Sequence, residues 1–307
     1  MLPEKLIYCL CYNLSYKYIY LYIFIYIYMS QENDFEGITI VSAFFDINRE
    51  NYVAYSRTVD AYINSFLRYL DMKYTMVIFI DDRYLHRLLK YYDSCLFKNK
   101  IFIPINKEWL CENIYAWKQL ERDKSIINSN YYKNFLHERI LSGHPENIYS
   151  EYNIVNHSKI DFINYALKNN YIMNDFVCWS DFGYYNSILN NNSELFPTTI
   201  LDINKFNVEK INVMLYNDIT KEDKNILDVA KNGKVTITGT FYGGPCKLMG
   251  IFQELYHQSL DELYSHNISD DDQHVLLRCY LKKPDLFELF KEHNRWPRGL
   301  NFFQCNG

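Results

Sequence analysis

Apolar residues along the chain fall into two kinds of run, and their order predicts the fold. Short, nearly continuous apolar runs, typical of strands buried on both faces, occupy positions 38–45, 74–80, 100–105, 175–181, 212–216 and 235–241. Apolar residues recur at helical spacing over 52–70, 84–91, 109–141, 156–169, 245–264 and 273–281. Strands and helices that alternate in this way predict an α/β protein with a parallel sheet and helices on both faces.

The first thirty residues differ from the rest of the chain. Residues 6–28 are rich in Tyr, Ile and Leu with one charge, Lys17, and about 23 such residues are long enough to cross a bilayer. Tyr favours the membrane interface, and 20–28 alternate with the period of a strand. An upstream extension, a signal anchor and a strand or interface segment therefore stay open. Residues 37–307 contain no Pro/Gly/Ser-rich linker, so we expect them to form one domain.

The composition of the chain limits which binding partners and which cellular compartment we expect for the protein. The formal net charge is −5 and no long basic stripe occurs, so the sequence gives no indication of a nucleic-acid surface. The 8 cysteines are scattered without a C-x-x-C pair, which favours free thiols in a reducing compartment over a structural zinc site. We therefore expect a cytoplasmic protein, with membrane anchoring through residues 6–28 as the alternative.

Polar or glycine-rich segments follow four of the predicted strands. They are 42–46 together with Arg49 and Arg57, then 81–83, 180–183 and 238–244. Ligands of open parallel sheets bind beyond the carboxyl ends of the strands, so one edge of the sheet would gather these segments. The P-loop, dinucleotide-binding, zincin and G-x-S-x-G hydrolase motifs do not occur in the sequence, which argues against those classes.

The candidate residues at this edge each have a functional and a structural interpretation. Asp181, between an apolar strand and Gly183, could hold a divalent metal or a sugar hydroxyl, or could cap a turn. Lys159, on the helix before that strand, could reach a phosphate or could be solvated. Gly243 and Gly244 either allow a ligand to approach the backbone closely or form a tight turn from strand to helix.

An acidic segment, 270–272, precedes the last predicted helix. Asp271 or Asp272 could supply a general base for an acceptor hydroxyl. The alternative is a helix start in which Ser269 is the cap and the aspartates face the positive end of the helix dipole. Asp81, which follows the second predicted strand, is likewise explained by a cap on the helix after it.

Taken in chain order, these segments resemble one family of proteins. The matching segments are 39–47, 77–82, 155–159 with Phe162, 179–183, 243–244 and 271–273. Their order and spacing over about 38–290 resemble the bacterial HtrL/YibB-type (WlaTC/HtrL) proteins, which are classed with the glycosyltransferases. The resemblance implies a single Rossmann-like, GT-A-type domain with a mixed, mostly parallel sheet. It also implies transfer of a sugar from a nucleotide-diphospho-sugar donor to a hydroxyl of a glycan or other acceptor.

The resemblance implies binding roles for residues at the strand ends. Ser42, Phe44 and Asp81 would line a pocket for the nucleoside of the donor. Gly243 and Gly244 would admit the sugar and the acceptor because their backbone can be approached closely. The alternative function is a protein of glycosyltransferase-like fold that binds a nucleotide-sugar or a glycan without turnover.

The resemblance also implies a catalytic centre. Asp181 would position the donor diphosphate, either directly or through Mn²⁺ or Mg²⁺. Gly183 stands where GT-A enzymes usually carry the second carboxylate of a D-x-D signature, so Lys159 and Arg57 are candidates to replace the charge of the metal. One aspartate of 271–272 would orient the acceptor hydroxyl or the donor sugar, and would be the base if the linkage inverts.

Overall fold

The computed structural model describes residues 37–70, 74–89, 100–184, 201–291 and 299–303. Within these residues seven strands form one sheet: β1 (Ile38–Phe44), β2 (Thr75–Asp81), β3 (Lys100–Ile105), β4 (Phe176–Ser180), β5 (Ile211–Leu215), β6 (Ile237–Pro245) and β7 (Phe287–Lys291). The strand order is β3-β2-β1-β4-β6-β5-β7. β6 is antiparallel to both of its neighbours, and the other neighbouring pairs are parallel. The predicted α/β class with a mixed, mostly parallel sheet is confirmed.

Helices fill the connections between the strands. Two follow β1 and β2, namely α1 (Val59–Leu70) and α2 (Asp82–Leu89). The connection from β3 to β4 contains α3 (Lys107–Asn113), α4 (Tyr115–Lys118), α5 (Leu120–Asn128), α6 (Asn130–Phe135), α7 (His137–Leu141), α8 (Ser150–His157) and α9 (Lys159–Lys168). The remaining described helices are α10 (Ile226–Asn232), α11 (Cys246–Ser265), α12 (Asp272–Lys282) and α13 (Gly299–Phe302).

The sheet separates two apolar cores because successive side chains of a strand point to opposite faces. In β1, Ile40 packs in the core that contains Phe66 of α1. The next residue, Val41, packs in the other core with Phe162 of α9 and Phe252 of α11. All of these side chains are buried, so helices cover both faces of the sheet, as the continuous apolar runs predicted.

The segment before α1 is not helical, although its apolar spacing predicted a helix from position 52. Tyr52 instead stacks on Tyr149 with ring centroids 3.7 Å apart, and Tyr55 has a left-handed backbone with φ of 57°. The Arg49 guanidinium donates a hydrogen bond from Nε to the carbonyl oxygen of Tyr55 at 3.1 Å. These tertiary contacts hold 52–58 as a loop against the end of β1, and α1 begins only at Val59.

The tight turn that was one of two interpretations of Gly243 and Gly244 does not form, because β6 continues through both glycines to Pro245. A Cβ atom on Gly243 would lie 2.4 Å from the Sγ atom of Cys178, and one on Gly244 would lie 2.7 Å from Cδ1 of Ile211. The neighbouring strands therefore require glycine at both positions. Both glycines pair with the first half of β4, away from its carboxyl end.

The end of the chain differs from prediction in two further ways. β7 was not predicted, and it pairs in parallel with β5 at the edge of the sheet. Ser269 does not cap α12: its hydroxyl is buried and donates to Oδ2 of Asp123 at 2.5 Å. The cap is Asp271, whose Oδ1 atom accepts from the backbone N–H of Gln273 at 3.1 Å.

The N-terminal run at 6–28 lies outside the described residues. Among the helices that the structure describes, none is both long enough and apolar enough to cross a membrane.

A candidate active site at the carboxyl ends of β1 and β4

A cavity of about 350 Å³, the inner cleft, lies where β1 and β4 end. Its lining includes Phe44, the last residue of β1, and Asp181, which directly follows β4. β6 runs in the opposite direction, so its first half reaches this edge, where Thr240 accepts a backbone hydrogen bond from Asp181 at 3.0 Å. The sheet topology thus gathers parts of the chain that are distant in sequence at the ligand-binding edge expected for parallel strands.

Lys159, Asp181 and Asp272 form an ion cluster in the inner cleft, which we call the lysine triad. The Nζ atom of Lys159 lies 2.9 Å from Oδ1 of Asp181 and 2.7 Å from Oδ2 of Asp272. It also donates to the carbonyl oxygen of Gly239 at 3.0 Å. Burial alone would lower the pKa of Lys159, but attraction to the two carboxylates outweighs it and the net shift is upward. Lys159 is therefore a fixed, buried positive charge.

The Mn²⁺ or Mg²⁺ expected at Asp181 would compete with Lys159 for the oxygens of that carboxylate. Its Oδ1 atom already accepts from Nε1 of Trp179 at 2.7 Å and contacts Lys159. Gly183 provides no second carboxylate. Within the described parts of the chain, no three His, Cys, Asp or Glu side chains are placed to share a metal ion. Lys159 supplies a positive charge next to Asp181 in the inner cleft.

Gly239 has no side chain, and the carboxylate of Asp272 occupies the space where a side chain would lie. A Cβ atom at Gly239 would lie 1.9 Å from Oδ2 of Asp272, so any side chain there must displace the carboxylate. We expect Gly239→Ala to cost about 1–3 kcal/mol by overpacking and to weaken the binding of any ligand in the inner cleft by breaking the lysine triad. Gly250→Ala is the matched control: it lies in α11 with nothing within 4 Å of its added Cβ, and it should stabilise the helix slightly. Urea unfolding and calorimetry would measure both effects, and equal behaviour of the two variants would contradict this account.

Aromatic and guanidinium groups line the other side of the inner cleft. The Phe44 ring stacks on Phe182 with centroids 5.1 Å apart and lies 5.1 Å from the ring of Tyr62. The Arg57 guanidinium lies over the Tyr62 ring at 5.2 Å, and Arg49 donates from Nη1 to the Tyr62 hydroxyl at 2.7 Å. An aromatic surface bordered by two cations can accept an aromatic base and an anionic group together.

Some residues predicted for the site do not line the inner cleft. Ser42 is fully buried in the middle of β1, opposite Ile78 of β2. Asp81 is buried too, and it accepts hydrogen bonds from the backbone of Asp46 at 3.2 Å and from Nε of Arg83 at 2.9 Å. The structure therefore places Asp81 behind Asp46, which does line the cleft.

Gly243 and Gly244 also lie outside the lining of the inner cleft. Because β6 is antiparallel to β4, Gly243 faces Cys178 and Gly244 faces Val177, whereas the start of β6 reaches the cleft. The glycine that touches the lysine triad is Gly239, earlier on the same strand. The geometry thus brings together Phe44, Arg57, Lys159, Asp181, Asp271 and Asp272, but not Ser42, Asp81, Gly243 or Gly244.

The three consecutive aspartates before α12 have different surroundings. Asp270 is buried between Arg139 and His274, with Oδ2 lying 2.7 Å from Nη1 and 2.8 Å from Nδ1. Burial opposes its ionisation, but these two partners hold its pKa well below the usual range. Burial and the charges of Asp272 and Asp270 instead raise the pKa of Asp271 well above its usual value. His274 is buried in this network.

The fold and the cleft define an α/β protein with a charged ligand cavity at the carboxyl ends of its parallel strands. The chain belongs to the family described as "Bacterial protein of unknown function (HtrL_YibB)", whose family model matches residues 36–305. Protein HtrL from Escherichia coli (strain K12) is 26% identical over 282 residues, which cover 87% of this chain and 91% of that protein. The resemblance found in the sequence is thus confirmed, and the description of the family names no activity.

Among solved structures, the chain is similar to the crystal structure of mouse xyloside xylosyltransferase 1 in its apo form. The sequence identity is 8% and the TM-score is 0.41. The likeness covers 82% of this chain and 84% of that chain.

Proposed function

We propose that this protein is a glycosyltransferase that moves a sugar from a nucleotide-diphospho-sugar to a hydroxyl group of an acceptor. The observation that carries the proposal is the lysine triad, in which a buried cation lies between two carboxylates at the ligand edge of the sheet. Lys159 offers charge to a diphosphate, and Asp181 and Asp272 offer acceptors to sugar hydroxyls. A sugar diphosphate carries both kinds of group next to each other.

The donor is held by parts of the inner cleft that differ in chemistry. Its base lies on the aromatic surface of Phe44 and Tyr62, which are 5.1 Å apart. Its diphosphate meets Lys159 and Arg57, and planar Arg side chains bind phosphate oxygens in a bidentate manner. The low polarity around a buried lysine strengthens its attraction to the leaving diphosphate in the transition state.

Asp271 is the general base in this mechanism. It takes the proton of the acceptor hydroxyl while the acceptor oxygen bonds to the anomeric carbon of the donor sugar. The bond from that carbon to the phosphate oxygen breaks, its electron pair leaves with the nucleoside diphosphate, and Lys159 stabilises this charge. Asp272 is less suited to the role because it is paired with Lys159 at 2.7 Å. Direct displacement of this kind inverts the anomeric configuration.

A donor screen tests the proposal. Calorimetry and turnover assays with UDP- and GDP-sugars, and a CMP-sugar as the monophosphate comparison, should show one preferred diphosphate donor and release of its nucleotide. Because Lys159 supplies the charge in our mechanism, binding and release should persist in EDTA and gain nothing from Mn²⁺. Asp181→Asn should weaken binding by removing one carboxylate of the triad.

The outcomes of the screen separate the competing functions. Binding without turnover toward any acceptor would favour the alternative, a non-catalytic nucleotide-sugar or glycan-binding protein. Activity that appears only with Mn²⁺ would support the transferase function but would refute the role of Lys159 as the charge that stabilises the diphosphate. Absence of binding to every nucleotide would refute the proposed function.

A further inference from the structure

A second and larger cavity, the outer cleft, adjoins the inner cleft. Its volume is about 1300 Å³, and its walls come from α6 and α7, the end of α10 and the start of α12. Arg49, Tyr152, Asp271 and Gln273 line both cavities. Asp272 lines only the inner cleft, whereas Asp271 lies at the junction of the two.

The junction between the clefts is held in place by several contacts of Arg49. Its guanidinium lies over the ring of Tyr152 at 5.1 Å and donates to Tyr55 and Tyr62. Asp271 accepts from the backbone and the side chain of Gln273, each at 3.1 Å. A carboxylate fixed at the meeting point of two cavities can reach a group that enters from the outer cleft while a donor occupies the inner one.

Two pairs of stacked rings line the outer cleft. Tyr55, whose exposed fraction is 54%, stacks on His144 with ring centroids 5.2 Å apart. Tyr131, whose exposed fraction is 49%, lies parallel to Phe135 at 5.8 Å. Exposed aromatic faces of this kind pack against the apolar C–H face of a pyranose ring, while neighbouring amides such as Asn134 can bond its hydroxyls.

The charges of the outer cleft do not favour an anionic ligand. Its lining carries four carboxylates and three Lys or Arg side chains. Arg139 is paired with Asp270 at 2.7 Å and with Glu146 at 3.2 Å. A cleft built for phosphate would present an excess of cations. The outer cleft instead offers polar and aromatic groups of nearly balanced charge.

We propose that the outer cleft binds the acceptor, and that the acceptor is a neutral oligosaccharide rather than a monosaccharide or a phosphorylated molecule. The role as acceptor rests on the proposed function. The volume of about 1300 Å³ exceeds the ~300–1,000 Å³ usual for small-molecule pockets, so several sugar units fit. One terminal unit reaches the junction and presents a hydroxyl to Asp271, while the units behind it stack on Tyr131 and Tyr55.

An array of immobilised neutral and acidic glycans tests this inference with the full-length chain. The wild-type protein should bind neutral oligosaccharides and should not require an acidic group on them. Tyr131→Ala should weaken that binding about tenfold through loss of the stacking surface, and Tyr131→Phe should retain it. Tyr216→Ala is the matched control, because Tyr216 is partly exposed and lines neither cleft. Equal binding by Tyr131→Ala and the wild type would overturn the inference, as would loss in Tyr131→Phe as large as in Tyr131→Ala.

Nucleotide binding measured on the same proteins separates this inference from the proposed function. Tyr131→Ala should keep the wild-type affinity for the preferred nucleotide, because Tyr131 does not line the inner cleft. Nucleotide binding without any binding to neutral glycans would overturn the outer cleft as a saccharide site and leave the donor site intact. Glycan binding that depends on Tyr131, without binding of any nucleotide, would support the outer cleft as a saccharide site and would refute the proposed transferase function.

Discussion

Lys159→Met is expected to destabilise the protein by about 3–5 kcal/mol and to abolish nucleotide binding. The buried lysine is the counter-ion of both Asp181 and Asp272, at 2.9 and 2.7 Å. Without it, two carboxylates face each other in a site where Asp272 has almost no access to water. Urea unfolding would measure the loss of stability, and calorimetry with the preferred nucleotide would measure the loss of affinity.

Two further variants sharpen the interpretation of Lys159→Met. Lys168→Met changes an exposed lysine near the other end of the same helix and should leave both stability and affinity unchanged. Adding Asp272→Asn to Lys159→Met should recover part of the stability, because it removes an uncompensated buried charge, but it should not recover binding. Wild-type affinity in Lys159→Met would contradict the assignment of the diphosphate to the lysine triad.

The strands of the first half of the chain could be predicted closely from the sequence. β1, β2 and β3 lie between helical connections, and each is a continuous apolar run because both of its faces are covered. Prediction was weaker where tertiary contacts override local periodicity. The apolar spacing from position 52 is that of a helix. Stacking of Tyr52 on Tyr149 nevertheless holds the segment before Val59 in a non-helical conformation.

Part of the candidate site could be placed from the sequence, because a sequence pattern shows where a strand ends but not which direction it takes in the sheet. Asp181 follows a parallel strand, and it lies in the cleft as its position predicted. Gly243 and Gly244 were assigned by the same reasoning to the end of their strand, but β6 is antiparallel, so its start reaches the cleft. Gly239 is therefore the glycine at the site, and no local pattern distinguishes it from the later pair.

The tyrosines that contact Arg49 could not be predicted for a different reason. The chain contains 30 tyrosines, so a tyrosine at a helical position carries little information. Tyr152 is identified only by its position beneath the Arg49 guanidinium, and Tyr62 only by its hydrogen bond from Arg49. These contacts join parts of the chain whose proximity depends on the whole sheet, which local periodicity does not encode.

Asp271→Asn is expected to reduce sugar transfer by about 100- to 10,000-fold, the usual contribution of a general base, while it stabilises the fold at neutral pH. Burial and the nearby aspartates raise the pKa of Asp271, so at neutral pH its ionised form is less favourable in the folded protein than in the unfolded chain. Asparagine removes that charge and keeps an oxygen that can accept from Gln273 and cap α12. Nucleotide affinity should persist because the lysine triad is unchanged.

The pH dependence of this variant follows from the direction of the pKa shift. A carboxyl group whose pKa is raised by folding destabilises the folded state at pH values above its unfolded-state pKa, where the unfolded chain releases the proton more readily. The gain from Asp271→Asn should therefore disappear at acidic pH, below the unfolded-state pKa. Transfer by the wild type should rise with pH as Asp271 loses its proton, above the usual range of an aspartate. Thermal unfolding and transfer rates measured across the same pH series would record both trends.

The neighbouring Asp270→Asn is the control for Asp271→Asn, and its stability effect should have the opposite sign. Arg139 and His274 hold the pKa of Asp270 below its usual value, so its ionised form stabilises the fold at neutral pH. Its replacement leaves Arg139 with Glu146 as its remaining carboxylate partner in the described structure and should destabilise the protein. Asp270 lines the outer cleft but not the inner cleft. A small loss of sugar transfer in Asp270→Asn together with a large loss in Asp271→Asn would therefore identify Asp271 as the general base. Equal losses in the two variants would instead make the acidic segment a structural unit with no separate catalytic group.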